Sequence, residues 1–392
     1  MKHDMIRRRQ AVLERLDDYV RERLLGVLGL SGSAFELTIP SEGTRSVVLV
    51  LRAGERSFIL KCFSSWVRAW STVLSARHLV SRGAPVPRLI HADLSPWTYW
   101  KTGLLVVVEE AIEGRNFLEL ERTDQRLRAA ARALAGLHSI SRRTWGPLLP
   151  GLGRRGDHFG FLQGRLARRL QDLLSHSPEF GRTVAKPEIP SWFAAQRGRS
   201  AAPLLQGYSL CHLRVTDTNV LLSGDGQAVL IDLVTARYGH HAVDLERALY
   251  RWCEHVRRRE ELFLEEYFRH FRSSSRERWE QARPYYRAAF HLTQAYRAAK
   301  EFRKFQEVEG GHYKKLKRRR RNLTRHLKLL LNVLEAAPDG PAAAVLQDSR
   351  AQLRRAARHT RETLEQQQLE GSGQPPEAAQ SIRRQMPRTR ST

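Results

Sequence analysis

The chain has 392 residues, of which 41% are hydrophobic and 28% charged, enough to bury a real core and too apolar for a disordered chain. Its 67 Lys and Arg stand against 41 Asp and Glu, a net charge of +26. That charge disfavours a polycationic substrate and draws anions, whether nucleic acid, acidic lipid headgroups or phosphorylated glycans, or else reflects a generally basic, Arg-rich composition.

Three scattered cysteines, Cys62, Cys211 and Cys253, give no C-x-x-C spacing, which argues against a disulfide framework or a zinc site and for a reducing cytoplasm. The N-terminus has no apolar core, so no secretory signal is expected, and the run 103-GLLVVV-108 is too short to span a bilayer.

In chain order, helical spacing of apolar residues predicts a helix over 5–29. Strands follow at 35–39, 46–53 and 57–63, separated by turn-like PSEGT and GERS. A helix over 66–82 ends at Gly83, and two more strands are expected at 89–93 and 103–110. The order reads as a small antiparallel sheet with one helix packed on it. From about 118 the text is mostly helical: 124–140, a Gly- and Pro-rich loop over 142–160, then 161–176, 243–271, 276–303 and 312–335. A helix is possible around 344–368, with disorder expected beyond about 369.

One stretch carries chemistry: 208-YSLCHLRVTDTNVLLSGDGQAVLIDL-233. Two short apolar strands flank SGDGQ, and Asp225-Gly226 reads as a two-residue turn. With that turn, positions whose numbers sum to 451 face each other, placing Asn219 opposite Asp232. A carboxamide and a carboxylate side by side suit Mg²⁺, which takes few protein ligands beside phosphate oxygens and water. The plainer reading is that Asp232 caps a turn and Asn219 satisfies backbone groups. Lys61, in SFILKCF, shares a face with Ile59 and Phe63 and intrudes on an apolar surface; it either meets a nucleotide phosphate or snorkels from a strand end. The strand ending at Glu109-Glu110 continues into AIEG as a connector whose backbone groups would read an adenine edge.

These segments, with GAPVPRL (83–89), ALAGLH (133–138), CHLRVTDTNVLL and VLIDLVTARYGHHAVDLERAL, resemble the aminoglycoside phosphotransferase and choline kinase branch of the protein-kinase-like superfamily, related to lipopolysaccharide sugar kinases. The resemblance covers about 35 to 300. It implies a two-lobed α+β fold: a small nucleotide-binding lobe (34–111) after an N-terminal helix (1–33), then a helical catalytic and substrate lobe (112–311). A basic amphipathic helix (312–335) and a partly helical tail (336–392) follow.

The resemblance also implies ATP and Mg²⁺ as cofactors. Lys61 would hold the α/β-phosphates, Glu110 and Gly43 would line the nucleotide, Asn219 and Asp232 would hold the metal, and His212 and Asp244 would brace the loop between them. The implied reaction is phosphorylation of a hydroxyl on a small molecule or glycan, and the charge favours an anionic sugar or envelope glycolipid.

Three departures stand out. Arg214 occupies the catalytic Asp position, the helix after the Lys61 strand holds no acid, and PSEGTRS has one glycine. Asp217 is then the candidate base and Arg214 a candidate for neutralising the transferring phosphoryl group. Alternatively Arg214 pairs with Asp217 or Asp232, and the chain is a nucleotide-binding pseudokinase acting as a scaffold through its basic C-terminal region.

That region packs nine Lys or Arg into 314–328, with Leu316, Leu323, Leu327 and Leu330 on one side. It suits an anionic membrane surface, and hence a peripheral position at the inner membrane, or it packs its leucines on its own lobe. Nucleic acid is the weaker partner, since no aromatic-interleaved platform accompanies the charge.

Overall fold

Strand alternation organises the first part of the chain. The computed structural model describes residues 13–39, 47–148, 153–200, 207–307 and 313–371. Five antiparallel strands, β1 (Phe35–Thr38), β2 (Val47–Ala53), β3 (Arg56–Phe63), β4 (Leu89–Asp93) and β5 (Leu105–Glu110), form a sheet in the order β1-β2-β3-β5-β4. Alternate residues face opposite sides. Leu49, Leu51, Phe58, Leu60, Val106 and Val108 pack with Leu16, Tyr19, Val20 and Leu24 of the helix α1 (residues 13–27). On the other side, Phe63, Leu105 and Val107 pack with Ala69 and Val73 of α2 (Trp66–Ser81). The sheet is therefore covered on both faces, and Lys61 shares the α2 face, as its alternation predicts.

A third helix, α3 (Pro96–Thr102), lies between β4 and β5, where only strands were expected. Its signals are local: Ser95 caps it by accepting from the Thr98 N–H, Pro96 opens the first turn, and left-handed Gly103 closes the last. The loop expected at 142–160 contributes two short strands, Ser141–Arg142 and Gly146–Pro147, to a four-stranded sheet with Tyr208–Cys211 and Arg237–Gly239. The helix expected over 243–271 is two, Ala242–Arg251 and Arg257–Phe268. Glu254 and His255 both take positive φ between them and break the run.

The chain divides into two compact units, residues 1–156 with 203–276, and 157–202 with 277–392. The first holds the sheet and the hairpin region. The second joins the helical insertion to the C-terminal helices, so the expected boundary near 312 does not separate the basic helix from what precedes it. That helix, Tyr313–Ala336, buries Leu316, Leu323, Leu327, Leu330, Leu331 and Leu334, and Leu316 clusters with Phe302 and Leu364. Its apolar side is thus not available to a lipid surface, and only its cationic side faces solvent. The tail helix runs Ala343–Gly371. Gly43, with the loop 40–46, and the tail beyond 371 lie outside the described residues.

Candidate functional site

The hairpin strands Val220–Leu222 and Ala228–Leu230 pair Val220 with Leu230 and Leu222 with Ala228. Facing numbers therefore sum to 450, not 451. Asn219 faces Ile231, whose N–H donates to the Asn219 carbonyl at 3.1 Å. The loop has three residues rather than two: Ser223 N–H donates to Gln227 O at 3.0 Å, and Gly226 takes φ 78°. A tight turn followed by a left-handed glycine is the usual form of a three-residue hairpin. Asp225 fixes it by accepting from the Gln227 N–H and the Ser223 hydroxyl.

Asp232 follows one residue beyond the ladder in a left-handed conformation, φ 60° and ψ 48°. A non-glycine residue held there is strained, and such strain concentrates at working sites. Leu213 takes φ 61° on the adjoining loop. What joins Asn219 to Asp232 is Arg214. Its carbonyl accepts from Asn219 Nδ2 at 2.8 Å, and its Nη1 donates to Asp232 Oδ2 at 2.5 Å. Among the described residues, Asn219 Oδ1 receives only a long 3.4 Å contact from Thr218.

Lys61 has a carboxylate partner that lies in the sheet, not in α2. Its Nζ sits 2.7 and 2.6 Å from the two Glu109 oxygens. The register pairs Ile59 with Glu109 and Lys61 with Val107, so Lys61 and Glu109 are diagonal neighbours on one face. Both side chains are mostly buried. The signal was present in the text, since each of the two interrupts an apolar strand. Lys61, Glu109 and Asp232 line one cavity with Ser75, Leu79 and Leu233.

Glu110 turns away. Its carboxylate accepts from Arg88 Nε at 3.1 Å, which holds its carboxyl below the usual range, and its N–H donates to Arg88 O at 2.9 Å. Asp217 is likewise engaged: Oδ1 accepts from Arg122 Nη2 at 3.0 Å, and its carbonyl accepts from the Phe117 N–H. Among the described residues, no hydrogen bond or ion pair links Asp217 to Asn219 or Asp232.

Beneath the loop lies a fully buried anchor. Asp244 accepts from the His212 N–H at 2.5 Å and the Leu213 N–H at 2.9 Å, and His138 Nε2 stands 3.4 Å from it. Burial alone would raise its carboxyl, but the His138 hydrogen bond and the neighbouring charges of His138 and Arg247 hold it below the ordinary value. His212 Nε2 lies 2.9 Å from the Ile231 carbonyl, tying the loop to the hairpin.

Burial pushes both His212 and His241 down, so both rings are held neutral in the fold. A folded pKa below the unfolded value of about 6.5 means the unfolded chain binds more protons once pH falls past that point. The stability these histidines contribute is full above about pH 6.5 and drains below it, each steepening the loss by at most about 1.4 kcal/mol per pH unit. Thermal melts should therefore be flat above pH 7 and fall between pH 6.5 and 5, and a flat profile there would contradict neutral burial.

The small sheet with its helices, the His212–Asn219 loop, the hairpin and the larger helical part define an α+β kinase-like fold with a helical C-terminal extension. The chain belongs to the phosphotransferase enzyme family, APH, whose family model matches residues 36–285. No curated protein sequence matches it. Among solved structures it is similar to a thermostable mutant of aminoglycoside phosphotransferase APH(4)-Ia in ternary complex with ADP and hygromycin B. That likeness has a TM-score of 0.54 at 16% identity, over 79% of this chain and 98% of that one. A Plasmodium vivax ethanolamine kinase gives 0.51 at 12% identity, over 74% and 81%. A putative aminoglycoside phosphotransferase from Ralstonia eutropha gives 0.54 at 11%, over 83% and 99%. At these identities the likeness establishes the fold.

Proposed function

We propose that this family member binds Mg·ATP and phosphorylates a hydroxyl of a small molecule or glycan, with an anionic sugar or envelope glycolipid favoured by the +26 charge. The observation that carries the reading is that Lys61 and Asp232 line the same cavity, with Asn219 tied to Asp232 through Arg214. The donors fit a hard cation: a carboxamide oxygen with only one long contact, and a carboxylate with one oxygen on a partly exposed guanidinium. Lys61 would orient phosphate oxygens while Glu109 fixes its ammonium, and Asn219 and Asp232 would hold the metal. Bound Mg²⁺ would neutralise phosphate charge. Transfer then rests on positioning and electrostatics rather than on a base.

A second reading, a nucleotide-binding scaffold, is favoured by the two ion pairs Arg214–Asp232 and Arg122–Asp217, which engage both carboxylates nearest the loop. Calorimetric titration with Mg·ATP and assays of ADP formation, with and without sugar acceptors, separate the two. Wild type should bind in a Mg²⁺-dependent way, and Asp232→Ala should bind at least about tenfold more weakly with the metal dependence gone. Asp217→Ala should keep both binding and turnover; loss of turnover alone would restore Asp217 as the base. Binding without ADP formation, with sugar acceptors present or absent, selects the scaffold, and no binding by wild type removes both readings.

A further inference from the structure

The large apolar side chains left in solvent are not scattered; many of them gather on α2 and α3. Trp66, Trp70, Leu74 and Arg77 recur at spacings of four, four and three, one stripe of a helix, with Val67 at its edge. Trp70 is 47% exposed, Val67 79% and, on α3, Trp100 85%, while Trp97 and Tyr99 are also exposed. The two helices share one surface, since the Trp66 and Tyr99 rings lie 6.2 Å apart. An ordinary soluble surface scatters such residues singly.

Cations surround this surface. Arg23 and Lys101 sit over the Trp97 ring at 5.1 and 5.4 Å, each also paired with a carboxylate, Asp93 and Glu22. Arg77 is exposed on the tryptophan stripe of α2, a helix without a single acidic residue. The composition is that of a membrane–water interface, where amphipathic indoles settle at headgroup depth and cations meet anionic lipid. The aromatic residues stand on the outer side of helices instead of lining a groove, so they need no shape-complementary partner. None of the described helices is long and apolar enough to cross a bilayer.

We propose that the α2–α3 surface docks the protein peripherally on an anionic lipid bilayer, with Trp66, Trp70 and Trp100 entering the headgroup region. The cationic residues supply attraction and the rings supply the burial that holds the contact once salt screens the charge. This relocates any lipid contact from the basic helix Tyr313–Ala336, whose leucines are already packed. It is independent of nucleotide binding and of transfer.

The test is co-sedimentation of the nucleotide-free full chain with phosphatidylcholine vesicles, with and without phosphatidylglycerol, plus quenching of tryptophan fluorescence by brominated lipid. Wild type should bind the anionic vesicles, keep part of that binding in about 1 M salt, where screening reaches about 3 Å, and be quenched. The combined Trp66→Ala, Trp70→Ala, Trp100→Ala variant should lose at least about tenfold in partitioning and lose the quenching. If that variant does not melt cooperatively, Arg77→Glu should weaken anionic-vesicle binding in its place. A Lys314→Ser, Arg318→Ser, Arg321→Ser variant should still be quenched. The proposal is overturned if wild type ignores anionic vesicles, or if the basic-helix variant alone loses binding. It is also overturned if the tryptophans hold two copies of the chain together in sedimentation velocity without binding lipid.

Discussion

Asp244→Ala is expected to lower the melting temperature by roughly 6–20 °C. The carboxylate is fully buried and accepts the N–H groups of His212 and Leu213. Alanine leaves both donors without an acceptor in the core, each costing about 1–3 kcal/mol, so a loss of about 3–5 kcal/mol is expected. For a unit of this size that corresponds to about 2–4 °C per kcal/mol. Leu213 adds to the effect, because its left-handed backbone is stable only while Asp244 and Arg247 hold its N–H and carbonyl. Asp244→Asn should fall between, since the amide can accept one N–H but presents its own N–H₂ to the other. Circular dichroism melts of the three proteins at pH 7.5 check this. A shift under about 1 °C for Asp244→Ala would mean that the loop is held by its other contacts, Arg247 to Leu213, Thr235 to His212 and Trp252 to Thr216.

Those contacts also show where the sequence was and was not legible. Alternation placed Lys61 on the correct face because a strand's side-chain period is fixed. The partner of Lys61 is not legible along the chain, because a sheet brings together residues far apart; Glu109 lies 48 positions away. The hairpin was recognised from its strands and glycines, but its register missed by one. Asp-Gly is compatible with two- and three-residue loops, and the Ser223 and Asp225 side chains that select the longer one act through hydrogen bonds that periodicity does not display. Similarly, the leucines of Tyr313–Ala336 announce an amphipathic helix in any setting. Whether its apolar side meets lipid or protein depends on Phe302 and Leu364, in other helices, which local text cannot bring together. The loop from His212 to Asn219 was readable as a motif, but not the direction of Asp217, because Arg122 lies 95 residues upstream.

Arg214→Asp is expected to raise Mg²⁺-dependent phosphate release from ATP by about 10²–10⁴-fold. That is the range general-base assistance supplies when a carboxylate reaches the attacking hydroxyl or water. The replacement also removes the guanidinium from Asp232. The existing pair is weak as a lock, for its side chains are 40% and 36% exposed and such pairs are worth about 1 kcal/mol or less. A cation with two oxygen donors can displace it, so in wild type Arg214 bears on the transfer step more than on binding.

Arg214→Ala separates the two effects: it frees Asp232 yet offers no base, so metal-dependent nucleotide binding should tighten while turnover stays near the wild-type level. The comparison to make is turnover of the aspartate variant against the alanine variant, each saturated with Mg·ATP. An excess in the aspartate variant means that the loop still presents position 214 to an acceptor and that the arginine alone limits transfer. Equal rates would mean that the loop, held by Asp244 below and by Arg122 and Trp252 at its side, no longer aims position 214 at the phosphate. Any turnover would then rest on positioning and electrostatics alone, and the absence of turnover in both variants would select the scaffold.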